Sequence, residues 1–309
     1  MSISSQVRVA VVQSTVAPGA YEQNRARVEQ LLEKLKPSRP QIVVLPELFL
    51  HGHGYRADRN SAKEAVFGPT LSWLQAMSNR LGAILVGGIN EEIPGDTRCF
   101  STLLCVDGDK LLGTYRKRHP ASAESLFLKN GVEDGILETR FGRIGLLICF
   151  DMSFPDAVLG PAAARVDLML VSNAWVVIEK MPFLLGETFE HHRVLPRALA
   201  MQLRAPVAVA NLVGPTAGLL PGIASFGGGV YPFETEFTGG SLICDHMGVV
   251  LAERTRDEGE GHASAQLDLD LARGVREVAV DHGGLDELEE YIFGAKRKPT
   301  PPSERQRAS

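Results

Sequence analysis

The segment Ile144-Gly145-Leu146-Leu147-Ile148-Cys149 is an uninterrupted small and apolar run that ends in a thiol. Phe150-Asp151 follows it directly, and Phe154-Pro155-Asp156 lies just beyond. A short apolar run bounded by turn residues predicts a buried strand. A strand that turns sharply into a helix exposes the residue at the bend and aims backbone N–H groups at whatever that residue attacks. The stretch therefore predicts that Cys149 is a nucleophile.

Two other segments also place an ionisable side chain at the end of an apolar run. They are Leu45-Pro46-Glu47 and Tyr115-Arg116-Lys117-Arg118-His119. A carboxylate bracketed by apolar residues can take and return a proton, and a fixed ammonium in a dry site stabilises developing negative charge. A base, a cation and a thiol are the groups needed for attack on a carbon bonded to nitrogen.

Composition and charge exclude several classes of partner. The chain has 309 residues, of which 44% are hydrophobic and 22% charged, and its formal net charge is −5. Without a basic field, nucleic acid and acidic membrane surfaces are not expected as partners. No stretch approaches the roughly 20 apolar residues of a membrane span. The N-terminal residues lack a secretory pattern, so a cytoplasmic location is expected.

The four cysteines predict neither a metal site nor a redox pair. Cys99, Cys105, Cys149 and Cys244 form no Cys-x-x-Cys pair and no cluster with zinc spacing. Cys105 and Cys244 lie in apolar strand patterns, which favours inert buried thiols. A reducing compartment fits this usage.

The remaining periodicity predicts many short strands interleaved with helices. This pattern favours an α/β sandwich with two sheets face to face and helices outside. Helices are predicted at 21–35, 71–81 and 187–203, with a small-residue helix around 162–164. Strands are predicted at 7–14, 41–45, 83–89, 101–106, 110–115, 137–139, 143–148, 167–171, 206–211 and 266–270, with a strand–turn–strand unit at 241–251.

No linker divides the chain, so a single domain is predicted over 1–294. Residues 215–232 are rich in Gly and Pro and favour a loop near the site. Residues 295–309 form a polar tail, for which disorder and an arm that orders on a second subunit both remain open.

The three segments, in this order, resemble the motifs of the nitrilase superfamily of carbon–nitrogen hydrolases. The resemblance extends over nearly the whole chain, because Val9-Ala10-Val11-Val12-Gln13 is similar to the opening strand of that family and Phe237-Thr238-Gly239-Gly240-Ser241 to its late hairpin. A multi-part site matched in order is far more specific than any one motif.

The resemblance implies a role for each motif residue. Glu47 would be the general base, Lys117 the cation that stabilises the intermediate, and Cys149 the nucleophile. The backbone N–H of Phe150 would complete the oxyanion hole. A second glutamate of the family maps to Glu124, which would orient Lys117 and the leaving amine. The resemblance also implies a four-layer α-β-β-α sandwich of two mixed sheets, no metal or cofactor, and homodimers or larger assemblies.

Departures from the family pattern narrow the predicted substrate. Several amidase and carbamoylase branches carry an arginine shortly after the nucleophile, where this chain has Met152-Ser153. This disfavours N-carbamoyl amino acids and dicarboxylic acid monoamides, whose carboxylates an arginine would bind in bidentate fashion. Phe150-Asp151 is closer to the Tyr-Asp of amidases than to the Trp-Glu of nitrile-cleaving members.

The sequence therefore predicts a thiol amidohydrolase that acts on a small, neutral or weakly polar amide or N-carbamoyl amine. It would proceed through a Cys149 thioester and release ammonia or an amine. Three alternatives stay open: a nitrilase, a catalytically silent binding or scaffold protein of the same fold, and an acyltransferase.

Side chains predicted to line the substrate pocket are Tyr55, Phe150, Asn173 and Trp175. For Trp175, packing beneath the sheet is an equally good interpretation. His191 and His192 could lie near the pocket, but a solvated helix face is the favoured prediction for both. The loops at 51–60 and 214–232 would shape the pocket.

Overall fold

The computed structural model describes residues 6–52, 63–121, 124–125, 127–176, 189–221 and 230–281. Within these ranges only the backbone is described at 189–190, 217–221, 230–233 and 277–281. Tyr55 and the predicted tail at 295–309 lie outside the described residues. No helix in the described ranges is long and apolar enough to span a membrane.

The first sheet has parallel strands at its centre. β1 (Gln6–Gln13), β2 (Ile42–Val44) and β3 (Ile84–Glu92) run parallel. Antiparallel strands extend it on both sides, in the order β14-β1-β2-β3-β4-β5. The added strands are β4 (Cys99–Asp107), β5 (Lys110–Arg116) and β14 (Gly261–Asp268). β4 is antiparallel to both β3 and β5, so β5 runs in the same direction as β2 and β3.

The second sheet repeats this plan. β7 (Gly142–Ile148), β8 (Leu168–Ser172) and β9 (Val207–Ala210) are parallel. The described order is β13-β12-β9-β8-β7-β6, with antiparallel strands at both edges. The strands added to the parallel centre are β6 (Ile136–Thr139), β12 (Ser241–Cys244) and β13 (Val250–Arg254), of which β6 and β13 form the edges.

Side-chain alternation along β1 shows how the layers pack. Val7, Val9 and Val11 face the second sheet, whereas Ala10 and Val12 face helices on the other side. These helices are α1 (Tyr21–Leu35) and α2 (Pro69–Leu81). The second sheet is covered by α3 (Pro155–Ala163) and α4 (Phe189–Leu203). The α-β-β-α sandwich is therefore confirmed, and burial of both strand faces explains the long apolar runs.

Several predicted elements need correction. Residues 213–221 and 230–238 are not loop, because β10 (Val213–Pro221) and β11 (Val230–Thr238) pair as an antiparallel ribbon. Residues 222–229 lie outside the described part. The last strand ends at Asp268, and a fifth helix, α5 (Leu269–Asp281), replaces the strand predicted to reach residue 270.

Candidate functional site

Parallel strand directions bring the predicted site residues to one edge of the sandwich. Glu47 lies three residues beyond β2, Lys117 directly follows β5, and Cys149 directly follows β7. The carboxyl ends of strands running in one direction meet at one edge of a sheet. Two hydrogen bonds join the sheets there: Glu47 N–H donates to the carbonyl of Asn173 (3.1 Å), and Ser172 Oγ donates to the carbonyl of Leu45 (2.6 Å).

A buried ammonium lies between two buried carboxylates. Lys117 Nζ donates to Glu47 Oε1 at 3.0 Å and to Glu124 Oε2 at 2.7 Å. All three side chains are at most 1% exposed. Burial disfavours the charged form of Lys117, but the carboxylates of Glu124 and Glu47 outweigh it and hold its pKa well above the ordinary value. Lys117 is therefore a fixed positive charge.

Further hydrogen bonds hold the carboxylates of Glu47 and Glu124 in place. Ser101 Oγ donates to Glu47 Oε1 at 3.1 Å, and the carbonyl of Ser101 accepts the N–H of Lys117 at 2.8 Å. Glu124 Oε2 accepts the N–H of Ala121 at 2.6 Å, and Glu124 N–H donates back to Ala121. These bonds orient both acids toward Lys117 before any substrate binds.

Cys149 occupies the sharp bend that the sequence predicts. Its φ is +49°, in the left-handed region that non-glycine residues seldom adopt. The preceding residue, Ile148, is still extended, and a 3-10 turn begins at Cys149 and ends at Ser153. The first N–H groups of a helical turn have no acceptor within it, so the turn can present N–H donors, including that of Phe150, to a bound group.

The thiol belongs to the same electrostatic cluster. Burial raises the pKa of Cys149 well above its ordinary value, and Glu47 and Glu124 act in the same direction. Lys117 and a hydrogen bond from the Ala174 N–H favour the thiolate instead. At rest the sulfur is therefore protonated and carries no charge. It becomes nucleophilic when a base accepts its proton during attack.

Asp151 links the strand that ends before Lys117 to the bend at Cys149. Its Oδ1 accepts the backbone N–H groups of Arg118 (3.1 Å) and His119 (2.8 Å). Its Oδ2 accepts the Tyr115 hydroxyl (2.7 Å) and the Ile148 N–H (3.1 Å). The side chain is fully buried, and burial raises its pKa to about 6. The carboxylate thus fixes β5 against β7.

His192 is buried, so the expectation of a solvated helix face is wrong for it. Its Nε2 lies 3.1 Å from the carbonyl of Gly240, and its Nδ1 lies 3.4 Å from Asn173 Nδ2. Burial lowers the pKa of His192 to about 4, so the ring is neutral near pH 7. In that form Nε2–H donates to Gly240 and Nδ1 accepts from Asn173, which holds the Asn173 side chain.

The predicted pocket residues lie together where they are described. The Phe150 ring is half-buried, with its centroid 6.3 Å from that of Trp175. Trp175 is buried beside the His191 and His192 rings. Asn173 Oδ1 and Trp175 Nε1 are buried and have no hydrogen-bond partner among the described residues. Within those residues no group of three His, Cys, Asp or Glu side chains is placed to hold a metal ion.

Three groups that form hydrogen bonds at this edge are given no role by the sequence analysis: Ser101, Asp151 and the backbone N–H of Ala174. Ser101 is a polar residue in an apolar strand, and Asp151 is an acid within the nucleophile segment, so each carried a weak signal of buried hydrogen bonding. The hydrogen bond from Ala174 to Cys149 comes from a backbone N–H, so no side chain in the sequence could have indicated it.

Known proteins match the chain over most of its length. The family model described as carbon–nitrogen hydrolase matches residues 8–277. A 2-oxoglutaramate amidase from Bacillus subtilis is 26% identical over 272 residues, which cover 87% of this chain and 93% of the relative. A nitrilase from Pyrococcus abyssi is 26% identical over 294 residues, covering 93% of this chain and 99% of the relative.

Solved structures show the same fold. Saccharomyces cerevisiae Nit3, a member of branch 10 of the nitrilase superfamily, superposes with a TM-score of 0.71 at 24% identity, covering 90% of this chain and 96% of that one. The family match, together with the amidase and nitrilase relatives, identifies the chain as a member of the carbon–nitrogen hydrolase family, the nitrilase superfamily, and thus as a hydrolase acting on carbon–nitrogen bonds other than peptide bonds.

Proposed function

We propose that this chain is a thiol amidohydrolase that cleaves the C–N bond of a small amide or N-carbamoyl amine through a thioester on Cys149. One observation carries the proposal. The Lys117 ammonium is held between the carboxylates of Glu47 and Glu124, in the same buried cluster as the Cys149 thiol. A carboxylate, an ammonium and a thiol together in one water-poor site are the groups that this mechanism needs.

Acylation needs no change in the net charge of the cluster. Glu47 takes the thiol proton as the Cys149 sulfur bonds to the carbonyl carbon. The oxyanion that forms is stabilised by Lys117 and by the Phe150 N–H. When the tetrahedral intermediate collapses, the C–N bond breaks and Glu47 gives its proton to the leaving nitrogen. The raised pKa of the thiol is no obstacle, because the proton leaves only as the bond forms.

Deacylation uses the same groups with water as the nucleophile. Glu47 takes a proton from water, the hydroxide oxygen bonds to the thioester carbon, and Lys117 again stabilises the oxyanion. The C–S bond then breaks, and the sulfur regains the proton from Glu47. Glu124 keeps Lys117 in place through both halves of the reaction.

Two buried polar atoms, in the residues before and after the one whose N–H donates to the thiol, support an amide substrate over a charged one. Asn173 Oδ1 and Trp175 Nε1, which flank Ala174 in the chain, offer a buried acceptor and a buried donor. An amide or carbamoyl group supplies one of each, so its binding would satisfy atoms that are costly to leave unpaired. The chain has Met152 and Ser153 where several family branches carry an arginine, so these positions offer no cation for a substrate carboxylate. The amidase among the relatives supports this class, and the nitrilase keeps the nitrile alternative.

The first experiment measures ammonia release from aliphatic amides, aryl amides, N-carbamoyl amines and nitriles. Cys149→Ala is the inactive variant and Cys244→Ala its matched control, because Cys244 is also buried and burial raises its thiol pKa to about 12. We expect release from an amide or carbamoyl compound that Cys149→Ala abolishes and Cys244→Ala retains. Release from nitriles alone would establish the nitrilase alternative.

A second experiment tests the covalent step. If Glu47 activates water, Glu47→Gln slows hydrolysis of any thioester that forms, and intact-mass analysis should show Cys149 carrying the acyl group. Hydroxylamine, which intercepts thioesters, should yield the hydroxamate from the wild type. Transfer of the acyl group to an added amine in preference to water would instead identify an acyltransferase. A Cys149→Ala protein with full activity would rule out the mechanism.

A further inference from the structure

A second cavity lies away from the catalytic edge, where α3 and α4 end against α5. Its volume is about 530 Å³, and three arginines line it: Arg165, Arg204 and Arg276. Gln202 adds a polar amide, and small or apolar side chains from the ends of α3 and α4 form the rest of the wall. The whole of α3, which has 9 residues, separates it from the turn that starts at Cys149, a distance of about 13 Å at the usual helical rise.

The cavity is locally basic in a chain whose formal net charge is −5. None of the described residues that line it carries a carboxylate. Asp167 stands behind Arg276, at 3.1 Å from its Nη2, but the same carboxylate oxygen also accepts from Arg273 Nε at 2.9 Å. Arg273 has a second acid in Asp270, whose Oδ1 accepts from Arg273 Nη1 at 2.7 Å, so it is the three guanidinium groups of the described lining, with no carboxylate among them, that favour an anion.

Arg276 is held in place by the backbone as well. Its Nη1 donates to the carbonyl of Val166 at 2.6 Å, and the side chain is almost fully buried. An arginine fixed in this way presents its remaining N–H groups in a set direction, which lowers the entropy lost on binding an anion.

Arg165 and Arg204 adopt an unusual backbone conformation. Each follows the end of a helix with a φ near +50°, at the position where glycine is most common. A non-glycine residue there costs roughly 1 kcal/mol. Interaction with the helix C-terminus is the simplest reason for an arginine at such a position. However, Arg204 Nη1 is buried and has no acceptor among the described residues. Helix capping therefore leaves this donor unexplained.

We propose that this cavity binds a small organic anion through its phosphate or carboxylate group. Guanidinium groups match the geometry of both groups in bidentate fashion. A bound anion would give Arg204 Nη1 an acceptor after a small rotation of the side chain. The apolar wall would contact the uncharged part of the ligand. This site is separate from the catalytic cluster and does not depend on the proposed reaction.

Inorganic phosphate is the probe, added to the purified full-length protein at constant ionic strength with chloride as the reference. Binding is measured by calorimetry and by the shift of the thermal unfolding midpoint. We expect Arg204→Gln to weaken phosphate binding by at least about tenfold, since a charge-assisted hydrogen bond is lost. Arg204→Lys keeps the positive charge but loses the planar guanidinium group, so its phosphate affinity should lie between that of Arg204→Gln and that of the wild type.

Arg39→Gln is the matched control. Arg39 also follows a helical turn with a φ of +50°, is exposed, and does not line the cavity. It should bind phosphate like the wild type. Equal loss in Arg39→Gln and Arg204→Gln, no loss in Arg204→Gln, or a wild type that responds to phosphate no more than to chloride would each overturn the proposal. So would a change in oligomeric state of Arg204→Gln, by light scattering, without any phosphate binding, because a second copy would then occupy the cavity.

Discussion

The left-handed backbone of Cys149 puts conformational strain at the residue on which the proposed chemistry depends. A non-glycine residue at φ +49° costs roughly 1 kcal/mol. Such a conformation persists only when surrounding contacts hold it. The four hydrogen bonds to the carboxylate of Asp151, two residues beyond Cys149, and the hydrogen bond from the Ala174 N–H to the thiol can do so. The buried carboxylate of Asp151 therefore helps to hold the strained backbone of Cys149 in place.

Asp151→Asn should lower kcat while changing KM less. An amide offers one acceptor oxygen where the carboxylate offers two, so at least one backbone N–H among those of Ile148, Arg118 and His119 loses its acceptor. The bend and the exit of β5 then move relative to each other, and misplacement by about 1 Å can cost about 100-fold in rate. We expect a decrease in kcat of about 10- to 100-fold, measured by steady-state kinetics.

Tyr115→Phe is the control for Asp151→Asn, because it removes one hydrogen bond to Asp151 and leaves the three backbone bonds intact. It should show the smaller decrease in kcat. An Asp151→Asn protein with kcat within twofold of the wild type would contradict a positioning role for Asp151.

His192 predicts a pH dependence of stability. A histidine in the unfolded chain has a pKa near 6.5, whereas burial lowers that of His192 to about 4. Between these values the unfolded chain binds a proton that the folded chain does not. The stability contributed by the neutral ring is therefore complete above pH 6.5 and is lost as the pH falls toward 4, by on the order of 3 kcal/mol.

The stability difference between the wild type and His192→Gln should therefore narrow as the pH falls from 6.5 to 4. Urea denaturation at several pH values measures this difference, and the other titrating groups cancel because both proteins contain them. His191→Gln is the control, since His191 is only partly buried. A difference that stays constant with pH would show that His192 has the same pKa in the folded and the unfolded chain, and would contradict its burial as a neutral ring.

At the scale of elements, the exit of β5 is fixed by a close approach of backbone to backbone. Gly131 N–H donates to the carbonyl of Lys117 at 2.7 Å. A Cβ at Gly131 would lie 2.2 Å from the carbonyl oxygen of Arg116. Only glycine permits this approach. The position of Lys117 is thus set by its neighbouring segment as well as by its ion pairs.

Gly131→Ala should move the end of β5 and weaken both stability and catalysis. Backbone atoms must shift to admit the methyl group, which costs about 1–3 kcal/mol, and Lys117 moves with them. We expect kcat to fall by at least about tenfold and the thermal midpoint to fall. The measurements are calorimetry and steady-state kinetics.

Gly274→Ala provides the same substitution at an open position. Gly274 is exposed on α5, and an added Cβ there meets no described atom within 4 Å. Alanine should stabilise that helix by about 0.5–1 kcal/mol without changing kcat. Similar effects of the two substitutions would contradict the steric account of Gly131.

For the whole molecule, Gln13 joins the two sheets through a fully satisfied buried amide. Its Nε2 donates to the carbonyls of Thr255 (2.9 Å) and Gly259 (2.8 Å). Its Oε1 accepts the N–H and the hydroxyl of Ser241, at 3.1 and 3.0 Å. Gln13 ends β1 and Ser241 begins β12, so these bonds set the relative position of the sheets.

Gln13→Leu should lower the free energy of unfolding by about 3 kcal/mol, because leucine fills the space but leaves buried polar groups without partners. Urea denaturation should show a lower midpoint with an unchanged m value. Gln266→Leu is the control, since Gln266 is exposed on β14, and it should change stability by less than about 0.5 kcal/mol. An unchanged midpoint in Gln13→Leu would show that the sheets are positioned by apolar packing alone.

Local pattern predicted some elements well and failed on others for identifiable reasons. The helix at 21–35 is confirmed residue for residue, because its apolar period is regular and Pro37 ends it. The ribbon of β10 and β11 escaped prediction because glycine and proline are frequent in 215–232, a segment that contains most of β10 and the start of β11, although the two strands pair fully. Helix α5 was missed because the strand pattern of β14 runs directly into its first residues and Gly274 weakens its helical signal.

The sequence by itself determined the layered class and the placing of Glu47, Lys117 and Cys149 at the ends of apolar runs, because hydrophobic periodicity is a local property of the chain. The family resemblance implied that Glu124 acts on Lys117, but only the tertiary structure decided the geometry of that pair, the joining of two strands by Asp151 and the burial of His192 as a neutral ring. These facts depend on which segments pack together across the two sheets. Burial, and with it the charge state of each group, is set by those distant contacts.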